Sequence, residues 1–223
     1  MFRYICRALE HKIVEFVIQL AVILFAISFH ESAHAWSALQ FGDTTARDQG
    51  RISLNPIRHI DLFGSILLPM LLYFTSGLIF GYAKPTPVDL RYVRNPRLAN
   101  LVVSAAGPLS NFVLCIPGIL ALYLIRHVGS GVGGGIVEPL NAVAGAFVVV
   151  NFSLGLFNLI PIPPLDGSGV LGALLGPPAQ RLFQVLAPFG FLIIVGLSYT
   201  GLLGAIMGPI FTLFLSLLRR LLA

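Results

Sequence analysis

Charge is scarce in this chain. Of its 223 residues only 10% are Asp, Glu, Lys or Arg, while 57% are hydrophobic. A soluble domain carries roughly a quarter charged residues. That shortage, with a mean hydropathy of +0.90, excludes an ordinary soluble fold and leaves a polytopic membrane protein. Cysteine is scarcer still. Cys6 and Cys115 stand far apart with no C-x-x-C, which excludes a disulfide framework and a cysteine-based metal site. No internal repeat, low-complexity tract or acidic tail is present. The net charge of +5 does not call for nucleic acid, because Lys and Arg gathered at one membrane surface account for it. The first apolar run lacks the A-x-A-like site of a cleaved signal peptide. Once the apolar stretches are counted, no length is left for a separate soluble domain, so residues 1–223 read as one membrane domain.

What is abundant is apolar sequence in long runs. Met1 to Lys12 mixes Arg3, Arg7 and Lys12 with Phe2, Tyr4, Ile5 and Leu9, the pattern of a short interfacial helix. A first spanning helix is expected over 13–41, about 43 Å long at 1.5 Å per residue, ending at Gly42-Asp43. Residues 50–56 alternate like a short strand. Core helices are expected over 98–125 and 139–159, and a closing helical pair over 182–218, around Thr200-Gly201. The fold class is therefore an all-α polytopic membrane protein with about five transmembrane helices. Between the first and second spans, Leu62–Phe80 is apolar but broken by Gly64, Pro69 and Gly77. The proline-rich Gly81–Val88 that follows reads as extended chain.

Late in the first span lies Phe29-His30-Glu31-Ser32-Ala33-His34, which fits H-E-x-x-H. Four residues make slightly more than one helical turn, so His30 and His34 share a face and can hold one Zn²⁺. Glu31 then stands beside the metal as a candidate general base. Ionisable groups in register inside a membrane are costly, and their usual explanation is function. The alternative is a buried His pair bonded to backbone carbonyls.

A catalytic zinc needs a third protein ligand and one open position. Asp166 is the best-placed candidate, after the broken run Ile160-Pro161-Ile162-Pro163-Pro164-Leu165. An Asp capping the next helix explains it equally well on residue chemistry alone. Asn158, in an apolar helix eight residues earlier, can donate to an oxyanion or glue helices together. Asn111 and Asn151 read as glue. His59 and Asp61, in a polar loop, read as surface residues.

Three motifs stand in one order: H-E-x-x-H, then Ala106-Gly107-Pro108-Leu109-Ser110-Asn111, then Asn158-Leu159-Ile160-Pro161-Ile162-Pro163-Pro164-Leu165-Asp166-Gly167. Together they resemble the site-2 protease family of intramembrane zinc metalloproteases, over about residues 29–175. The resemblance implies one Zn²⁺ on His30, His34 and Asp166, Glu31 as base, and Asn158 at the oxyanion or substrate. It implies a transmembrane protein substrate in the lipid bilayer and no nucleic-acid partner. No PDZ domain or CBS pair is seen, so a minimal form of the family is expected. The rival reading is a membrane metal carrier or zinc-stabilised binding protein that does not cut; it gives Glu31 no task.

Zinc also fixes a parity. If His30, His34 and Asp166 meet, the two core helices already restore the side, so residues 62–88 are expected to be re-entrant. The loop Tyr82–Arg97 holds Lys84, Arg91, Arg94 and Arg97 against Asp89. That places the site toward the cytoplasm of a prokaryotic inner membrane, against the opposing bias of the basic N-terminus. The sequence leaves the oligomeric state open.

Overall fold

The computed structural model describes residues 2–76, 81–128 and 134–223. Helix α1 runs unbroken over Phe2–Gln40. The interfacial segment expected at the N-terminus is therefore continuous with the first span, since no Gly or Pro interrupts Phe2–Gln40. Gly42, at φ 94°, turns the chain out of the helix. A single turn, α2 (Thr45–Asp48), follows, and Asp43 caps it by accepting from the Thr45 amide at 2.9 Å.

The alternating stretch after it is not a strand. Among the described residues no strand occurs. Ser53 is held instead by Ser32 of α1, whose hydroxyl donates to the Ser53 carbonyl at 2.6 Å and accepts from its amide at 3.2 Å. The Gly50 and Arg51 amides donate to the Arg47 and Ala46 carbonyls at 2.8 and 2.9 Å, and the Asn55 amide to the Ser53 hydroxyl at 3.1 Å, so these groups are not left for a strand partner.

Leu62–Leu67 forms a π-helical turn and continues into α3 (Leu68–Ser76). This apolar helix, Leu62–Thr75, is shorter than the roughly 20 residues that cross a bilayer. The chain is back beside its start by residue 82. The Tyr82 amide donates to the Gly64 carbonyl at 3.0 Å, and the Lys84 amide to the His59 carbonyl at 2.9 Å. Gly64 permits this return, because a Cβ there would lie within 2.6 Å of the Tyr82 ring. Residues 77–80 of the expected re-entrant segment lie outside the described residues.

Helix α4 (Pro96–Val128) and α5 (Gly134–Asn158) make an antiparallel pair against α1. Their contacts are made by small residues, as expected where lipid removes the hydrophobic drive between helices. Ala26, Ala35, Ala38 and Ala99 are fully buried, and a Cβ on Gly155 would press on Phe112 and the Pro108 carbonyl at 3.0 Å. Helix α6 (Asp166–Leu175) is short and packs on α4. The closing pair comprises α7 (Pro177–Leu186), a 3₁₀ turn at Ala187–Phe189, α8 (Gly190–Tyr199) and α9 (Leu202–Leu222). Phe152 stacks on Phe214 at 3.7 Å and ties α9 to α5.

Among the described residues, five helices are long and apolar enough to cross a membrane: Lys12–Gln40, Pro96–His127, Gly135–Asn158, Pro177–Tyr199 and Leu202–Leu222. The protein is an integral, multi-pass membrane protein. If Leu62–Thr75 turns back, residues on either side of it face the same compartment. With Cys6 and Cys115 replaced, Arg58→Cys and Arg91→Cys are expected to react with an impermeant maleimide from one side of sealed vesicles, and Glu138→Cys from the other. Labelling of Arg58→Cys and Arg91→Cys from opposite sides contradicts the fold-back.

Candidate metal centre

The α1 register sets the first half of the site. His30 and His34 are one turn apart, their rings edge to face at 4.7 Å between centroids. Both are buried, at 5% and 8% exposure. The second half arrives on α6. Asp166 is its first residue, delivered by a bend in which the Leu165 amide donates to the Ile162 carbonyl at 2.9 Å. Gly167 allows the bend to close, because a Cβ there would collide with the Leu159 carbonyl. The alternative of Asp166 as a simple cap is not what the fold uses: Leu165 holds the cap position, without a side-chain cap bond.

Asp166 Oδ2 lies 3.0 Å from His30 Nε2 and 3.3 Å from His34 Nε2, and the two Nε2 atoms are 3.1 Å apart. The far nitrogen of each ring is engaged elsewhere. His34 Nδ1 is 2.7 Å from the Val103 carbonyl, and His30 Nδ1 is 2.6 Å from Asn111 Oδ1. Oxygen acceptors can only receive, so both Nδ1 atoms carry the proton and both Nε2 atoms present lone pairs. Three electron-pair donors thus face one another. Asp166 Oδ2 is buried with no hydrogen-bond partner. Leaving such a group bare costs about 1–3 kcal/mol, and more when it is charged. A cation among the three cancels that cost. Tetrahedral ligands at 2.0–2.1 Å from zinc are about 3.3 Å apart, and the triangle has that size. The donor set of two imidazoles and a carboxylate fits zinc, with a fourth position left over.

Among the described residues, His30, His34 and Asp166 are the group assembled for a metal. Glu31 is not in it. Its Oε2 accepts the Thr86 amide at 2.8 Å, and the Thr86 hydroxyl donates to its backbone carbonyl at 3.1 Å. Pro85 and Pro87 have no amide hydrogen. Thr86 therefore holds the one N–H of that tripeptide, and it is spent on Glu31. The segment Gly81–Asp89 lies as a strap across the zinc helix. Its far end is fastened by the Asp89 amide donating to Asp43 Oδ2 at 2.6 Å, beside the exposed Asp89–Arg91 ion pair at 2.6 Å.

A cavity of about 790 Å³ opens onto these residues. His30, Glu31, His34, Asp166, Thr86 and Asn158 line it, and Gln19, Ile23 and Ile27 extend it along one face of α1. Asn158 donates to the Leu154 carbonyl at 3.0 Å while facing this space. Asp61 caps the π-helical turn, accepting from the Gly64 amide at 2.7 Å. His59 is not a surface residue. It is 1% exposed, with Nε2 at 2.7 Å from the Ser53 carbonyl, because the strap folds over it. It lies outside the metal group.

Sequence reasoning passed over two contributors on α4, Val103 and Gly107, and read a third, Asn111, as glue. Val103, Gly107 and Asn111 are spaced i, i+4, i+8 and meet the imidazoles as one row. A Cβ on Gly107 would fall 2.6 Å from His30 Nε2 and against His34 Nε2. The signal for this in the sequence was the Gly107-Pro108-Leu109-Ser110-Asn111 motif itself.

A family model described as "Peptidase family M50" matches residues 135–197. The chain is 39% identical over 181 residues to the protein of Bacillus subtilis (strain 168) named "Putative zinc metalloprotease YwhC", covering 80% of each chain. It is 31% identical over 192 residues to "Putative zinc metalloprotease Rip2" of Mycolicibacterium smegmatis, covering 83% of this chain and 68% of that one. The Rip2 of Mycobacterium tuberculosis strain H37Rv is 31% identical over 191 residues, with the same two coverages. No solved structure matches significantly.

Gly107 gives the site a sharp test. Gly107→Ala places a methyl group against both Nε2 atoms, and bound zinc is expected to fall from about one per chain to a small fraction of that. The readout is metal analysis of the folded, size-separated protein. Full zinc occupancy in the variant contradicts the placement of α4 against the two rings.

Proposed function

The chain belongs to peptidase family M50, the site-2 protease family, and is a zinc metalloprotease of the membrane; from that premise we propose that it hydrolyses peptide bonds within or beside transmembrane segments of other membrane proteins. The observation that carries the reading is the triangle of His30, His34 and Asp166 with Glu31 outside it, all on one cavity. In this reading those three residues hold the zinc. A carrier would have no use for a carboxylate kept beside the ligands and out of their set.

Zinc in this donor set supplies Lewis-acid polarisation of a carbonyl and a more acidic water. The chain supplies the rest. Glu31 removes the proton from the attacking water and returns it to the leaving amine. The Thr86 amide holds Glu31 Oε2 in place for that transfer. Asn158 donates its amide to the oxyanion as charge develops there. Burial of the site excludes bulk water and strengthens these charge interactions.

A helical substrate cannot react as it stands, because its amides are already bonded to one another. The strap offers the unwound chain an alternative. Tyr82 and Lys84 turn their amides toward Gly64 and His59, the i, i+2 pattern of a strand edge. Ala83 then points its N–H and C=O the other way, and it lines the cavity. A substrate strand pairing there would lie beside the zinc ligands. Membrane orientation follows the same logic. Arg47, Arg51, Arg58, Lys84, Arg91, Arg94, Arg97 and Arg181 fall toward the zinc end of the bundle, whereas α9 runs from the Ile160–Leu165 bend past Phe152 and carries Arg219 and Arg220 away from it. The first group supports an active site facing the cytoplasm of a prokaryotic inner membrane.

The test is Glu31→Gln. The variant is expected to keep its zinc and lose cleavage of a co-expressed, tagged single-span protein by at least about 100-fold, the usual worth of general acid–base catalysis. Cleavage at the wild-type rate with zinc retained overturns the assignment of the base.

A further inference from the structure

Two buried amides, Asn111 on α4 and Asn151 on α5, stand in line behind His30 of α1. Asn111 and Asn151 are both 0% exposed. Asn151 Nδ2 donates to the Phe147 carbonyl at 2.8 Å, and Asn111 Nδ2 donates to Asn151 Oδ1 at 3.0 Å and to the Ala26 carbonyl at 3.3 Å. Asn111 Oδ1 then faces His30 Nδ1 at 2.6 Å. The order of these bonds is forced from its far end. A backbone carbonyl accepts only, so Asn151 must turn its amide nitrogen toward Phe147. That leaves Asn151 Oδ1 toward Asn111, which must answer with its own nitrogen. Asn111 Oδ1 is left for His30, and the ring must keep its proton on Nδ1. The opposite nitrogen, Nε2, is thereby bare and aimed at Asp166.

We propose that Asn111, braced by Asn151, is the positioning residue that fixes the tautomer and ring direction of His30 as a zinc ligand. The proposal rests on the ligand assignment made above. His34 needs no such device, because its Nδ1 meets a backbone carbonyl, Val103, whose direction the helix already sets. His30 has only a rotatable amide. An isolated amide would turn either way, and half of its orientations would offer a donor to Nδ1 and send the ring proton to Nε2, where the metal belongs. Asn151 Oδ1, at 3.0 Å, and the more distant Ala26 carbonyl, at 3.3 Å, both accept from Asn111 Nδ2 and remove that choice. The bland alternative is helix glue, since buried amides do link membrane helices. Glue would not depend on which end of the amide faces His30.

The experiment measures zinc affinity of the purified full chain by competition with a chelator at fixed pH. The absorption spectrum of the cobalt-substituted protein is recorded in parallel. Asn111→Leu, with similar volume and no acceptor, is expected to weaken zinc binding about 10- to 100-fold and to change the cobalt bands. Asn151→Leu, which does not touch the ring, is expected to weaken it in the same direction and less. The double variant Asn111→Asp/Asn151→Leu keeps an acceptor that needs no orienting, and it is expected to recover affinity to within a few-fold of wild type. Wild-type zinc affinity in folded Asn111→Leu overturns the proposal. So does a double variant that binds no better than Asn111→Leu/Asn151→Leu, the comparison that stands if Asn111→Leu alone fails to fold. A wild-type chain that binds neither zinc nor cobalt instead overturns the ligand assignment on which the proposal rests.

Discussion

Two imidazoles on one helix face do not make a metal site until something turns both lone pairs the same way, and here that something is the face of α4. The Val103 carbonyl and Asn111 Oδ1 take the Nδ1 protons, while Gly107 between them lets the helix lie flat on the rings. An i, i+4, i+8 row cannot be adjusted one residue at a time. Sliding α4 by a turn against α1 would bring Gly107 to the place of Val103 and the Asn111 side chain to the place of Gly107, against both Nε2 atoms. The register of this one helix pair therefore decides whether His30 and His34 are ligands or only a buried pair.

The same helix holds α6, which brings Asp166 to the two rings. Arg97 donates to the Ala173 and Leu174 carbonyls at 2.6 and 2.7 Å, capping the C-terminal end of α6, and Asn100 donates to the Gly169 carbonyl at 3.3 Å. Gly169 sits so close to Ser104 that any Cβ would overlap its hydroxyl. Positive charge at a helix C-terminus is favourable by about 0.3–1 kcal/mol, a modest contribution. Its geometric effect is larger, because it pins the far end of a ten-residue helix whose near end must deliver Asp166 to the two rings. From residue 97 to residue 111, α4 is a template on which the zinc helix and the Asp166 helix are assembled.

Much of this was legible in the sequence, and the part that was not has a common cause. His30 and His34 follow from the helical period alone. The spans follow from apolar runs, and the re-entrant segment from counting crossings between two ends that must meet. Asp166 stood equal with a capping role until three motifs were taken together. The misses are of another kind. Residues 50–56 alternate but satisfy their backbone on Ser32 and His59. His59 looks like a loop residue and is buried by a strap that arrives from more than twenty positions later. Asn111 and Asn151 look alike on paper, yet Asn111 meets His30 Nδ1 and Asn151 meets Asn111 instead. Thr86 carries the single amide of Pro85-Thr86-Pro87, a fact plain in the sequence, but nothing there names Glu31 as its acceptor. Local period and composition report which residues can do chemistry. Which of them meet depends on helix register, which no short window contains.

The central claim is that an early helix and a distant proline-rich bend close on a single ion. X-ray absorption at the zinc edge of the metal-loaded protein reads that directly. Two imidazole nitrogens at about 2.0–2.1 Å, with oxygen in the rest of a four-coordinate shell, is the predicted result. A shell containing sulfur, or one that keeps the same oxygen count when Asp166 is replaced by Ala at equal zinc occupancy, would contradict it.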